Sequence, residues 1–384
     1  MKIAFVVPDD RFHAIEALPK FGAAPSAVLH GFSAFPDEIQ IHIIACTHQG
    51  HDETLHLGPN IHFHGIAVPK IGFLRSLHTG CRLAVRKKIA EIRPDLIHAQ
   101  GTERWCAVST AWLPYPKVLT IHGNLEALDP AFKPKPRAYW KLQTLLQKLT
   151  LPHFDGVFCN SDYTRDCMTK AARHTWRVDN PIRPQFFASP GPGMTAGAPP
   201  TLLNVGAFVP WKRQLELLGV AKKIHAAGGT VRFRFIGSLG GDDYGRACRL
   251  RLDEGERLGY AEYAGTMAPE ALVREMDQAN GFVHFPSEEA FGLVVAESLA
   301  RGMKFFGCAV GGLKTITADV PGCELFEKDD FASLAVAIRQ WVAEGSQRVQ
   351  GCREIMAERY SPEVIARRHI EIYQSLVPGS PCAP

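Results

Sequence analysis

The chain has 384 residues, of which 46% are hydrophobic and 21% charged, with a formal net charge of +4. That is too long for one ordinary core and too apolar for disorder, so two globular domains of roughly 100–200 residues each are expected. The opening run MKIAFVV meets Asp9, Asp10 and Arg11 too early for a signal peptide, and no stretch approaches the ~18 apolar residues of a membrane span, which points to a cytoplasmic protein.

In chain order, the first half alternates short apolar runs with helical segments. The runs are KIAFVV, IQIHIIAC, IHFHGIAV, LIHAQ, KVLTIHG and GVFCNSD. Gly22 lies in FGAAPSAVL after the first run, His98 and Glu103 follow in LIHAQGTE, and His122 ends LTIH. From Ile61 to Thr150 there are 14 Lys and Arg against 5 Asp and Glu, an excess of nine. This region contains KPKPRAYWKLQTLLQKL, which fits an acidic lipid surface or an anionic acceptor, or else a solvated helix face.

The stretch from Asn180 to Pro200 is rich in Pro, Gly and Ala and reads as a linker. The runs then resume as TLLNVGAF, VRFRFIG, AEYAG, GFVHFPS, MKFFGCAV and CELFE. Near-continuous apolar runs between helices predict parallel sheets covered on both faces, hence two doubly wound α/β domains in tandem. Ligands of such sheets bind beyond the carboxyl ends of the strands, and two such domains would face a central cleft. The terminal segment SPEVIARRHIEIYQSL places Val364, Ile365, Ile370 and Leu376 at helical spacing, with Ser361 as N-cap and Pro362 at the first position.

The ten cysteines form no C-x-x-C pair and read as buried, reduced thiols. There is no G-x-G-x-x-G after a strand, no P-loop and no G-x-S-x-G, which argues against nicotinamide, flavin, NTPase and hydrolase sites. There is also no Asp-x-Asp to hold a sugar diphosphate through a divalent metal. Neither a metal, nor a cofactor, nor nucleic acid is expected.

The densest chemistry lies in HFPSEEAFGLVVAESLARG, from His284 to Gly302. A strand end passes through a turn carrying Glu289 into a helix carrying Glu297, which shares a face with Leu293. Free N–H groups at Phe291, Gly292 and Leu293 would meet an anion such as a diphosphate. Glu297 would accept both hydroxyls of a ribose, and Glu289 would bind sugar hydroxyls. In LLNVGAFVPWKRQLELL, a strand ends at Gly206 and a helix begins near Lys212.

The pattern P-S-x-E-x-F-G-L-x-x-x-E-x-x-A-x-G, from Pro286 to Gly302, resembles the E-x7-E motif of glycosyltransferase family 4. Those enzymes have the GT-B fold of two Rossmann-like domains. The resemblance extends to GGLKTI at Gly311 to Ile316, similar to the family's glycine pair. It implies that Lys212 binds the leaving diphosphate and that His122 stands beside the transferred sugar. It also implies that Gly22 lets a loop reach the diphosphate, that Asn160 and Ser161 face the cleft, and that Gly237 lies near the base. His98 and Glu103 become acceptor-side candidates. Where the family carries an arginine five residues before the lysine, this chain has Ala207, and Arg213 is the candidate substitute.

The resemblance implies an N-terminal acceptor domain at 1–183, with a crossover helix at about 359–377, and a nucleotide-sugar domain at 184–358. It implies a retaining, metal-independent glycosyltransferase. The donor is a nucleotide-diphosphate sugar, and the acceptor hydroxyl belongs to a glycan, a lipid-linked sugar or a small molecule. A nucleotide-sugar epimerase, a sugar phosphorylase or a lapsed nucleotide-sugar binder are the alternatives. A peripheral contact between the basic N-terminal domain and an anionic membrane stays open.

Overall fold

The computed structural model describes residues 1–9, 21–47, 52–102, 104–123, 137–189 and 198–377. Glu103, the central part of the linker and Lys133–Pro136 of the basic stretch lie outside the described residues. The chain divides into two units, Met1–Arg183 with Tyr360–Pro384, and Pro184–Arg359.

Unit 1 runs β1 (Lys2–Val6), α1 (Ala23–Phe32), β2 (Gln40–Thr47), β3 (Glu53–Gly58), β4 (Ile61–Ala67), α2 (Thr79–Ile92), β5 (Leu96–Gln100) and α3 (Trp105–Thr110). It continues with β6 (Lys117–Ile121), α4 (Arg137–Thr150), β7 (Gly156–Cys159), α5 (Asp162–Met168) and β8 (Thr175–Arg177). The sheet order is β3-β4-β2-β1-β5-β6-β7-β8. Its strands pair in parallel except β3, which runs antiparallel to β4. That is a departure from the all-parallel expectation. β3 and β8 end the sheet and are only partly buried, so neither shows the continuous apolar run by which the inner strands are read.

The central strands bury both faces. Ala4, Val6, Ile97 and Leu119 pack on one side with Val85 and Ile89 of α2, while Ile3, Phe5, Ile41 and Val118 pack on the other. The second face is closed by α1 and by the terminal helix α13 (Pro362–Leu376), through Ile365, Ile370 and Tyr373. The two helices approach so closely at Gly31 that a Cβ there would stand 2.1 Å from the Pro362 carbonyl oxygen. Arg367 of α13 adds a two-pronged ion pair to Glu38 at 2.6 and 2.7 Å. Two local expectations fail in α13. Val364 faces solvent at 43 % exposure, and the Ser361 side chain makes no capping bond.

Unit 2 runs β9 (Thr201–Val205), α6 (Gln214–Ala226), β10 (Arg232–Ile236), α7 (Asp243–Leu258), β11 (Ala261–Tyr263), α8 (Pro269–Gln278) and β12 (Gly281–His284). Then come α9 (Leu293–Ala300), β13 (Lys304–Cys308), α10 (Leu313–Thr317), β14 (Cys323–Phe326), α11 (Phe331–Ala343) and α12 (Cys352–Tyr360), which ends at the unit boundary. Its sheet is wholly parallel, in the order β11-β10-β9-β12-β13-β14. Chain order reverses between β9 and β12, which makes the carboxyl ends of that pair the topological switch point, where open α/β sheets bind ligands. The helix after β9 starts at Gln214, two residues later than expected, because Pro210–Lys212 forms a 3-10 turn and Arg213 is left-handed.

The nine described cysteines are all free, and Cys46, Cys81, Cys106, Cys159, Cys248, Cys308 and Cys352 are buried. Among the described residues no helix is long and apolar enough to cross a membrane.

Candidate functional site

At the switch point of unit 2, β12 delivers His284 and the following loop delivers Glu289. His284 is fully buried, and its Nε2 lies 2.9 Å from Glu289 Oε2. Burial drives the imidazole below its ordinary value although Glu289 pulls it back up, so the ring is neutral and Nε2–H donates to the carboxylate. Burial also pushes the Glu289 carboxyl up. The His284 hydrogen bond, the Lys212 charge and the Phe291 N–H outweigh that, and the carboxyl ends below the usual glutamate value. Glu289 is therefore held as a carboxylate.

The backbone of this loop is pinned as well. Gly312 N–H donates to the Glu289 carbonyl at 2.9 Å. A Cβ on Gly311, whose φ is +48°, would come within 1.9 Å of the same oxygen, and one on Gly312 within 2.5 Å of the Ala290 carbonyl. The glycine pair after β13 is thus required by contact with the 289–291 loop.

Lys212 reaches the same strand end from β9. Its Nζ lies over Gly206, close enough that a Cβ on Gly206 would meet it at 2.8 Å. The ammonium makes no hydrogen bond among the described residues. Gly206 in turn abuts Gly237 at the end of β10, where a Cβ would fall 1.9 Å from the Gly206 carbonyl oxygen. Gly292 caps α9 in a left-handed conformation (φ +96°), and the N–H groups of Gly292, Leu293 and Val294 have no acceptor among the described residues. These orphan donors carry the partial positive charge of a helix N-terminus. An ammonium, a helix start and an oriented carboxylate thus gather at one strand edge, a set suited to a diphosphate joined to a hydroxylated ring.

Unit 1 carries a separate polar chain. His122, just after β6, donates from Nε2 to Gln100 Oε1 at 3.0 Å. The Gln100 amide donates to His98 Nε2 at 2.9 Å, and His98 Nδ1 lies 2.5 Å from the Tyr373 hydroxyl. Thr120 Oγ1 also meets His98 Nε2, at 2.6 Å. Burial holds His98 well below its ordinary value, so it is neutral, with its proton on Nδ1 toward Tyr373.

The N-terminal half matches the profile described as "Glycosyltransferase Family 4" over residues 33–185, and the C-terminal half matches "Glycosyl transferases group 1" over 199–344. The chain belongs to glycosyltransferase family 4. Among curated proteins none matches it in sequence. Solved structures share its fold at low identity. Sucrose-phosphate synthase from Thermosynechococcus elongatus is 18% identical with a TM-score of 0.76, covering 98% of each chain. Anabaena HepE in complex with UDP and glucose is 17% identical with a TM-score of 0.67, over 98% of this chain and all of that one. The trehalose 6-phosphate synthase of Burkholderia multivorans is 13% identical with a TM-score of 0.70, over 97% and 96%. The fold of this glycosyltransferase is GT-B, two parallel-sheet units of α/β type.

Several expected site residues of the glycosyltransferase take other places. Phe291 N–H is turned onto the Glu289 carboxylate and so is not a free anion donor. Arg213 does not join Lys212. Its left-handed backbone (φ +58°) sends the guanidinium 4.6 Å over the Phe331 ring and into ion pairs with Asp329 and Glu216. Glu297 is 1 % exposed, so a ribose reaches it only if covering atoms move aside. Gly22 has ordinary φ and caps α1, and a Cβ there would make only normal contact, so nothing local demands glycine.

In unit 1, His98 is fully buried and cannot touch an acceptor; it supports Gln100 and, through it, His122. Ser161 is the N-cap of α5, in a reciprocal capping box with Thr164. Asn160 is buried and donates to the His122 carbonyl at 3.5 Å. His284 and Gln100 were not legible as functional. The available signal for His284 was its position at a strand end five residues before the motif glutamate.

Proposed function

We propose that this glycosyltransferase moves a sugar from a nucleoside diphosphate sugar to an acceptor hydroxyl with retention of anomeric configuration and without a metal ion. The observation that carries the reading is the convergence of Lys212, Glu289 and the first turn of α9 at the switch point of unit 2. Lys212 and the orphan N–H groups offset the charge that grows on the diphosphate as the glycosidic bond breaks. Glu289, kept ionised and oriented by His284, accepts hydrogen bonds from hydroxyls of the sugar. Glu297 takes the ribose. Unit 1 is the acceptor side and carries His122. The acceptor oxygen bonds to the anomeric carbon on the face that the phosphate leaves, and the departing phosphate oxygen takes the hydroxyl proton, so no enzyme nucleophile is needed. The absence of any Asp-x-Asp supports metal independence.

A uridine nucleotide is the first donor to test, since HepE is solved with UDP-glucose and an E. coli trehalose-6-phosphate protein with UDP-2-fluoro glucose. Thermal shifts with UDP, GDP and ADP identify the base, because a ligand bound only by the folded state raises the melting point. Turnover is then followed in excess EDTA, and the anomeric coupling of the product is compared with that of the donor. An inverted product, or complete loss in EDTA, refutes the mechanism.

A second reading is a binder that has lost turnover. It is favoured by Ala207, together with the engagement of Arg213 by Asp329, which leaves Lys212 without a neighbouring guanidinium from either position. Nucleotide binding with no release of nucleoside diphosphate against any acceptor pool distinguishes it.

A further inference from the structure

A cavity of about 410 Å³ opens between α2 and α3 of unit 1, lined among others by Arg82, Leu83, Arg86, Ser109 and Trp112. It shares no residue with the Lys212–Glu289 site. Neither guanidinium has a carboxylate partner among the described residues, and Arg82 is stacked 4.9 Å over the Trp112 ring. That stacking holds one cation in place without neutralising it. Ser109, only 4 % exposed, has a hydroxyl with no hydrogen-bond partner among the described residues. A buried hydroxyl left unpaired is costly, and a ligand oxygen in the cavity would satisfy it. Two free guanidiniums and a hydroxyl donor form a receptor for a phosphate ester.

The surroundings say what the phosphate is attached to. Leu83 and Trp112 stand in solvent beside the arginines. Trp112 also lies against His153, in the turn that follows α4, so the surface runs on to that helix. That helix packs Leu146 inward, at 9 % exposure, and shows apolar residues on its outer side as well. Gln143 and Gln147 are 1 % and 4 % exposed, with Gln147 accepting from Thr102 at 2.7 Å, while Leu145 and Leu149 are each 53 % exposed. Lys141 and Lys148 share the outward side with those leucines. Leucines and lysines mixed on one exposed face suit a headgroup interface rather than water.

We propose that the α2–α3 cavity and the outward face of α4 dock on an anionic membrane surface, with a lipid phosphate seated between Arg82 and Arg86 and accepting from Ser109. The leucines and Trp112 enter the acyl boundary, and the lysines meet neighbouring headgroups. The contact is reversible and weakens with salt.

The test is co-sedimentation of the full chain with vesicles, and it needs no sugar substrate, so it stands apart from the donor reading. Vesicles of phosphatidylcholine alone are compared with vesicles carrying about 30 mol% phosphatidic acid. The chain is expected to bind the anionic vesicles only. The Arg82→Gln/Arg86→Gln variant is expected to lose roughly tenfold or more in partitioning with an unchanged melting point. Leu145→Gln/Leu149→Gln should lose binding too. Lys170→Gln/Arg173→Gln removes the same charge from another exposed part of unit 1 and should bind nearly as wild type. An equal loss in that control, or full binding by the arginine variant, overturns the site. So does an absence of vesicle binding, including the case in which calorimetry finds inorganic phosphate bound through Arg82 and Arg86, which would assign the cavity to a soluble phosphate instead.

Discussion

His284 Nε2 and Glu289 Oε2 stand 2.9 Å apart at the end of β12, and this contact keeps a half-buried carboxylate ionised and aimed. His284→Ala removes the hydrogen bond that lowers the Glu289 carboxyl. The acid limb of kcat/KM against pH should then move to higher pH, and kcat should fall by about 10–100-fold. His284→Gln, which can still donate, should recover part of both. An acid limb that does not move would show that Glu289 titrates independently of His284.

Lys212→Met keeps the length of the side chain and removes its charge. Because the ammonium makes no hydrogen bond among the described residues, stability should hardly change, while kcat falls roughly 10²–10³-fold. Ala207 is exposed beside Gly206, so Ala207→Arg should fold normally. If the lone ammonium limits the reaction, that variant raises kcat or tightens donor binding. Steady-state kinetics of both variants, with calorimetric melting, check this.

Gln100 bridges two histidines, accepting from His122 and donating to His98. Gln100→Leu keeps the volume and breaks both bonds. We expect kcat to drop by about tenfold with donor KM unchanged, since His122 loses its orienting partner. Tyr373→Phe acts one bond further away and should have the smaller effect. Nitrogen-15 NMR of the His122 ring in each variant reads the change directly.

Gly311→Ala and Gly312→Ala place a methyl group against the backbone of the 289–291 loop. Each should cost about 1–3 kcal/mol and displace Glu289, lowering the melting point of unit 2 by roughly 2–10 °C with a loss of activity. Gly241, where a Cβ would meet nothing within 4 Å, serves as the control. Equal behaviour of Gly241→Ala and Gly312→Ala would refute the packing role.

On neighbouring strands β2 and β4 of unit 1, His42 Nδ1 and His64 Nε2 lie 3.0 Å apart, and His42 also stacks on His62. Burial, with the neighbouring imidazoles and nearby lysines, holds His42 and His64 at about 4 each. The unfolded chain therefore binds more protons than the folded one between about pH 4 and 6.5, and stability rises with pH across that window. Full stability is present above pH ~6.5 and is lost progressively toward pH ~4, to which the buried His369, also held at about 4, contributes. His42→Gln/His64→Gln should flatten the melting-point profile between those limits. An unchanged slope would remove the cluster from the explanation.

Much of the fold was legible in the chain. Inner strands such as LIHAQ and GFVHF are buried on both faces, so their composition alone announces them. β3 and β8 were not, because an edge strand alternates with solvent and needs no unbroken apolar run. At the site, Glu289 and Gly206 could be picked out as candidates because a strand end followed by a helix start is a local pattern, while Lys212 and Gly237 were suggested by the resemblance to the family. His284 and Gln100 could not, since their roles arise from partners across a turn or on a neighbouring strand. Arg213 looked like a second phosphate ligand by adjacency to Lys212, yet one left-handed residue sends its side chain to Asp329, 116 positions away.

The sequence by itself determined the two α/β units, because these depend on hydrophobic periodicity, and its motif from Pro286 to Gly302 carried the resemblance to the family. Only the tertiary structure decided which groups meet: the imidazole that orients Glu289, the glycines that make room for its loop, and the leucines that α4 turns outward. Those pairings depend on rotation about individual backbone and side-chain bonds and on contacts between distant segments, which no local pattern of residues encodes.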